Sequence, residues 1–182
     1  IVYKTVFWPH DDSKALTENY RINPSDIVLD VCTGSGCLAV FSAYKGAKKV
    51  VALDINPAAV RAAKENAKLH GFSRIIDVRL SDMFEAIGEE EKFDVITGNL
   101  PFTDNPAPDF VYMTTYDPGL QVQKKFFEGL AKHLNPGGRA YITQGNFGAV
   151  EEMKQSARAH GFEVRLIGER RMPRGDPRIF YA

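Results

Sequence analysis

The sequence has 182 residues, 44% of them apolar and 25% charged, which is enough for one domain with a full core and ordinary for a soluble globular chain. Its 23 basic and 23 acidic side chains cancel, excluding the global positive field of a general nucleic-acid binder or a membrane-surface protein, so any attraction to RNA has to be local. No apolar run approaches the ~20 residues needed to span a bilayer.

No signal-peptide pattern opens the chain, and it starts at Ile1 rather than Met, which leaves room for a preceding segment. Cys32 and Cys37 lie together with no third cysteine and no histidine cluster. Reduced thiols in a cytoplasmic protein are expected, with neither a disulfide framework nor a metal site. Nothing in the chain reads as a linker or a repeat, so residues 1–182 are expected to form a single domain.

Strand-like runs then alternate with helical stretches. In chain order the strands are DIVLDVC, KVVALDI, IIDVRL, FDVITG and RAYITQ, and the helices between them are GCLAVFSAYKG, PAAVRAAKENAKLHG and LQVQKKFFEGLAKHL. Asn56 caps the second helix, Pro57 suits its first position, and Gly46 and Gly71 stand where helices stop. A helix at AVEEMKQSARAHG precedes an alternating stretch at FEVRLIGERR, a turn through MPRGDP and a final strand at RIFYA. Strands joined so closely have to be antiparallel, because a parallel return needs a crossover of about a dozen residues. The expected fold is therefore α/β: a Rossmann-like, doubly wound, seven-stranded sheet, mostly parallel with the last strand antiparallel.

The stretch VLDVCTGSGCLA sets a glycine turn between the first strand and the first helix, where Gly34 and Gly36 would let a ligand approach the backbone near free helix N–H groups. Taken alone it also fits the dinucleotide fingerprint of an NAD-dependent oxidoreductase. Asp54, ending the second strand, would grip the ribose of any adenosine cofactor. Three features point past the dehydrogenase. Asp30 would oppose a pyrophosphate but favour a cationic ligand, directly or through water. Asp82 and Met83 suit an adenine, with a carboxylate for its amine and an apolar side chain for its face. The reversed last strand is foreign to a dehydrogenase sheet.

LDVCTGSGCLA, VALDINPAAV, SDMF, GNLPF and LNPGGRAYI, in this order and spacing, resemble the class I S-adenosylmethionine-dependent methyltransferases over almost the whole chain. CTGSGC and the early VFWPHDDS look most like the release-factor and ribosomal-protein glutamine N5-methyltransferases and their small-domain relatives. The resemblance implies S-adenosylmethionine as cofactor, with S-adenosylhomocysteine as product. It carries Asp30, Gly34, Gly36, Asp54, Asp82 and Asn99 over as cofactor and catalytic positions; Thr33, Ile55 and Met83, in the same loops, are counted with the cofactor positions. Cys32 stands where the broader class often has glycine. The helical N-terminal substrate domain of many members is not part of this sequence, which leaves the acceptor open.

In TGNLPF, Asn99 should face the cofactor from the carboxyl end of the fourth strand. The Asn99 side-chain oxygen and the Leu100 carbonyl would accept hydrogen bonds from an NH2 group. Pro101 would stiffen the turn and Phe102 would pack on the planar acceptor, so that positioning supplies the catalysis. The family pattern is Asn-Pro-Pro-aromatic, and leucine in second place is closer to the dimethyladenosine rRNA methyltransferases. A protein glutamine amide is the leading acceptor; an adenine or guanine amine of RNA or DNA, a small-molecule amine, and a non-catalytic adenosyl-binding module are the alternatives. The acceptor partner is thus a protein or a nucleic acid, no membrane is involved, and the oligomeric state is not read from the sequence. Phe110, Tyr112 and Tyr116, in the long stretch that follows, either line an acceptor pocket or pack on the sheet edge. Asn146 either reaches the site or, as the leading expectation, caps the next helix. Arg165, Arg170, Arg171, Arg174 and Arg178 either meet phosphate or an acidic partner or, being interspersed with acids, form a solvated hairpin, which is the leading expectation; none of the scattered histidines is given a catalytic role.

Overall fold

The computed structural model describes residues 1–173 and 176–182. Arg174, and with it the centre of the turn expected through MPRGDP, lies outside the described residues. Five strands, β1 (Ile27–Val31), β2 (Lys49–Asp54), β3 (Ile76–Leu80), β4 (Phe93–Gly98) and β5 (Leu134–Ile142), form a parallel sheet in the order β3-β2-β1-β4-β5. Three short strands, β6 (Gln144–Gly145), β7 (Glu169–Arg171) and β8 (Ile179–Tyr181), form an antiparallel sheet in the order β6-β8-β7. The expected seven-stranded sheet is thus divided into five and three. Only Thr143 separates β5 from β6, so the chain leaves one sheet and enters the other along a single interrupted run, and the reversed last strand is β8.

Alternate side chains of the parallel strands enter two different cores, as the two-residue period of a strand dictates. Leu29, Val31, Val51, Leu53 and Ile96 pack with Phe126 and Leu130 of α5 (Gln121–His133) and with Met153 and Ala157 of α6 (Val150–Ala159). Val28, Val50, Ala52 and Val95 pack on the other face with Ala39 and Ala43 of α2 (Cys37–Tyr44) and with Ala63 and Ala67 of α3 (Pro57–Leu69). A fully buried side chain such as Phe126 contributes about 1.5–3 kcal/mol by transfer from water. Asn56 caps α3 as expected, accepting from the Ala58 N–H at 2.9 Å. None of the helices among the described residues is long and apolar enough to cross a membrane.

Two helices escape the periodicity. One is α1 (Asp11–Asn19), whose buried residues include Asp12, Ser13 and Thr17; its inner face is largely polar, so no apolar stripe marks it. The other, α4 (Phe110–Met113), is a single turn capped by Asp109. Conversely, the alternation at residues 162–171 yields a strand only at β7. Val164 and Leu166 are exposed, and an alternating pattern without a neighbour to pair with makes no ladder.

Parallel order runs outward from β1 through β2 to β3, then resumes on β1's other side with β4. That reversal opens a crevice at the carboxyl ends of β1 and β4, where an open α/β sheet binds its ligands.

Candidate active site

The loop from β1 to α2 is built on left-handed residues: Cys32 has φ 56°, Gly34 56° and Gly36 82°. A non-glycine residue in that region is uncommon, which accounts for the glycine that Cys32 replaces. The two glycines have different duties. Beside Gly34 only the Phe7 Cβ comes near, 4.0 Å from where a methyl would sit, so its edge is open. A Cβ on Gly36 would lie 3.0 Å from the Ala63 Cβ and 3.1 Å from its Cα, so this glycine lets α2 start against α3.

Asp54 binds the loop together. Its carboxylate accepts from the Gly34 N–H at 2.8 Å and the Asn56 N–H at 2.9 Å, while the Thr33 N–H reaches back to the Leu53 carbonyl at 2.8 Å. Burial raises the Asp54 pKa, and these backbone donors offset part of that. Each carboxylate oxygen keeps a second lone pair for a ligand hydroxyl. In the loop after β3, Asp82 pairs with Lys125 at 2.6 Å, and Met83 (φ 49°) is buried with its sulfur 3.8 Å from the Cys32 thiol.

These elements line a solvent-open cleft. Thr33, Gly34, Asp54, Ile55, Asp82, Met83 and Asn99 line it; Asp30 and Gly36 do not. Asp30 is fully buried beneath the loop and accepts hydrogen bonds from the Thr33 hydroxyl at 2.5 Å and the Thr97 hydroxyl at 2.7 Å. It is not exposed to the cleft; Thr33, which lines the cleft, donates to it.

Burial pushes the Asp30 carboxyl up to about 6, the two hydroxyls holding it down in part and the Asp54 charge adding to the rise. A carboxyl with a raised folded pKa takes its proton more readily folded than unfolded. Its stabilising contribution is complete below about pH 4 and is lost as pH rises through about 6. Asp30→Asn is accordingly expected to stabilise the protein at pH 8 by up to about 2–3 kcal/mol, at 1.36 kcal/mol per pKa unit, with the gain vanishing near pH 4. Thermal melts at the two pH values measure it.

Asn99 stands at the end of β4. Its Nδ2 donates to the Asp12 carboxylate at 3.0 Å and to the Ser13 hydroxyl at 3.2 Å. Because an ionised carboxylate only accepts, the NH2 side of the amide has to face α1, and Oδ1 is turned the other way. Asp12, 5% exposed, is itself fixed by the Ser13 N–H at 2.5 Å. A second cleft lies against Asn99, Leu100, Pro101 and Phe102. The Leu100 and Phe102 side chains are nevertheless mostly buried, Leu100 in the core under α5 and Phe102 beside Phe147. Phe7, Asn99, Pro101 and Thr114 line both clefts.

The stretch after Phe102 is ordered by its own polar groups. Thr103 bridges to Tyr116, Asp104 accepts from the Gly119 N–H at 2.7 Å, and Asp117 accepts from the Val122 and Gln123 N–H groups at 2.9 and 3.0 Å. Phe110 lines the first cleft, whereas Tyr112 and Tyr116 stack on one another at 6.0 Å and line neither. Thr114 and Thr115 take the place expected of the tyrosines. Asn146 does not cap α6, whose N-cap is Ala149; it clamps β8, donating to the Pro177 carbonyl at 3.1 Å and accepting from the Ile179 N–H at 3.0 Å. In the terminal hairpin Arg165, Arg170, Arg171 and Arg178 are each paired with a carboxylate. Among the residues not anticipated are Asp12 and Ser13, Thr5, Val6, Phe7 and Pro9 of the segment before α1, and Phe147 and Phe180 of the second cleft. For those up to Ser13 the one sequence signal is VFWPHDDS, with a proline and paired acids where a helix would begin.

A family model described as ribosomal protein L11 methyltransferase (PrmA) matches residues 14–101. A putative protein N5-glutamine methyltransferase of Methanocaldococcus jannaschii is 33% identical over 178 residues, covering 94% of this chain and 88% of that protein. A release factor glutamine methyltransferase of Cereibacter sphaeroides is 33% identical over 149 residues, covering 75% of this chain and 53% of its own length. In fold, the crystal structure of a ribosomal protein L11 methylase from Lactobacillus delbrueckii subsp. bulgaricus superimposes with a TM-score of 0.70 at 24% identity, over 97% of this chain and 79% of that one. The dehydrogenase alternative is thereby set aside: the chain belongs to the family of S-adenosylmethionine-dependent methyltransferases that includes the protein N5-glutamine methyltransferases.

Proposed function

We propose that this single domain, residues 1–182, methylates the side-chain amide nitrogen of a glutamine in a protein, with S-adenosylmethionine as donor in the first cleft. The observation that carries this reading is the fixed amide of Asn99, whose NH2 is held by Asp12 and Ser13 where the two clefts meet.

The lining of the first cleft fits an adenosyl donor. Asp54 has lone pairs for ribose hydroxyls, the second Asp82 oxygen can accept from the adenine amine beside Met83, and Ile55 and Gly34 offer surface without bulk. The buried carboxylate of Asp30 beneath Thr33 adds a negative field that suits a cation. When bound, the donor supplies an electrophilic methyl group on a sulfonium. The chain's own residues supply position. Asn99 Oδ1 and the Leu100 carbonyl accept the two N–H bonds of the acceptor amide, turning the nitrogen lone pair out of conjugation, and Pro101 keeps the two acceptors in fixed relation. Methylation of a primary amide releases one proton, which would leave the nitrogen from the N–H that is hydrogen-bonded to Asn99 Oδ1 and pass to solvent water through the open second cleft. Phe102 forms the wall of that cleft and not, from its burial, a platform under the amide. Free thiols at Cys32 and Cys37 suit a reducing cytoplasm.

Transfer of labelled methyl from S-adenosylmethionine to a cell extract, divided between protease and nuclease treatment, tests the acceptor. The label is expected in protease-sensitive material and, after complete digestion, in N5-methylglutamine. Label released only by nuclease would assign the site to a nucleobase amine; cofactor binding with no transfer at all would leave an adenosyl-binding module. For the donor site, Asp54→Ala is expected to weaken S-adenosylmethionine binding about 10- to 100-fold, because charge-assisted hydrogen bonds contribute about 1.5–3 kcal/mol each. Titration calorimetry reads this directly, and unchanged affinity would remove Asp54 from the site.

A further inference from the structure

We infer that the side of the second cleft farther from the donor is a subsite for a large apolar side chain within about three residues of the acceptor glutamine; this rests on the acceptor reading above. Beyond Asn99 and Pro101 the cleft is bounded by three aromatic rings brought together from distant parts of the chain. Phe102 and Phe147 lie 5.5 Å apart between centroids, and Phe147 and Phe180 lie 5.7 Å apart. Phe102 and Phe180 are buried, whereas Phe147 is 43% exposed. An open aromatic face braced by two covered rings is contact area already ordered before anything binds, so a partner meets little entropic cost there.

The sequence around Phe147 is shaped to hold this arrangement. In QGNFG, a Cβ on Gly145 would come within 2.7 Å of the Phe147 ring and 3.1 Å of Phe102, and a Cβ on Gly148 within 2.5 Å of Phe102. Neither glycine has a positive φ, so what they provide is room for the rings. Asn146 between them ties the loop to β8 through both its amide atoms.

The occupant is a polypeptide. Arg178, the one guanidinium that lines this cleft among the described residues, is engaged by Asp176 at 2.6 Å, and the chain's basic and acidic residues balance; nucleic acid is held by cations free to replace counterions. An extended peptide advances about 3.3 Å per residue and returns every second side chain to the same face. With a glutamine at Asn99, the residue two positions from it presents its side chain to the same wall of the cleft as the glutamine, the wall that carries the rings.

Peptides with a central glutamine, carrying Gly, Leu, Phe or Asp at each of three positions on either side, supply the test under saturating S-adenosylmethionine. Leu or Phe at one of these positions is expected to lower KM about tenfold relative to Gly. Phe147→Ala should erase that preference and Phe147→Leu should restore most of it, while S-adenosylmethionine affinity, measured on both variants, reports an intact fold. Peptides methylated with equal KM whatever the flank, or a preference that survives Phe147→Ala, overturn the subsite and leave the glutamine reading standing. Methylation of an RNA or DNA oligonucleotide with none of any peptide overturns both.

Discussion

Asn99→Ala is expected to lower turnover by about 10²–10³-fold, the scale on which removal of one preorganised hydrogen-bonding group acts in a water-poor site, while S-adenosylmethionine affinity changes less than about threefold. The two effects separate because the Asn99 amide is tied to α1 through its nitrogen, leaving the oxygen for a group that arrives with the acceptor. Asn99→Asp sharpens the test. It retains an oxygen toward the acceptor but places a second carboxylate where Nδ2 now lies 3.0 Å from Asp12. Two such carboxylates cannot both ionise cheaply, so one should hold a proton at higher pH than usual. Sharing that proton re-creates the donor that Asp12 now receives from Asn99. The variant's activity should therefore recover in part as pH falls and be lost as pH rises, which a pH–rate profile measures. A rate unchanged in Asn99→Ala would remove this residue from the reaction.

Much of the donor site is readable without coordinates because it is local. Residues 32–36, Asp54 and Asp82 with Met83 each directly follow or end an apolar strand, and parallel strands bring their carboxyl ends together. What a linear reading cannot supply is the identity of the neighbour across a gap. Gly36 looks like Gly34 in sequence, yet one faces Ala63 and the other faces the cleft. Asp30 is likewise one strand residue among several until Thr33 and Thr97 are seen to close over it. α1 is invisible for a different reason: periodicity detects apolar faces, and this helix turns Asp12, Ser13 and Thr17 inward. The second cleft is the least legible part. Phe7, Asn99, Thr114, Phe147 and Phe180 come from five separate segments, joined only by the order of the strands and by the return of β8 beside β6.

The distinction between the two glycines has a measurable consequence in stability. Gly36→Val is expected to destabilise the fold by about 3 kcal/mol or more, because two costs coincide. A β-branched residue held at φ 82° is strained by about 1–3 kcal/mol, and its Cβ meets Ala63 side chain and backbone at 3.0 and 3.1 Å, a contact that α2 and α3 relieve only by moving apart, at a further ~1–3 kcal/mol. At about 2–4 °C per kcal/mol for a domain of this size, the melting temperature should fall by roughly 10 °C. Gly34→Ala should behave in the opposite sense. Its φ of 56° imposes strain of about 1–2 kcal/mol, but the nearest atom is 4.0 Å away, so stability should fall by no more than that strain, while the added methyl intrudes on the proposed donor cleft and S-adenosylmethionine affinity drops. Melting curves and calorimetry on the pair decide the matter: if Gly36→Val melts with the wild type, the close approach of α2 to α3 is not what this glycine serves, and if Gly34→Ala binds the donor unimpaired, the open edge of the loop is not where the donor lies.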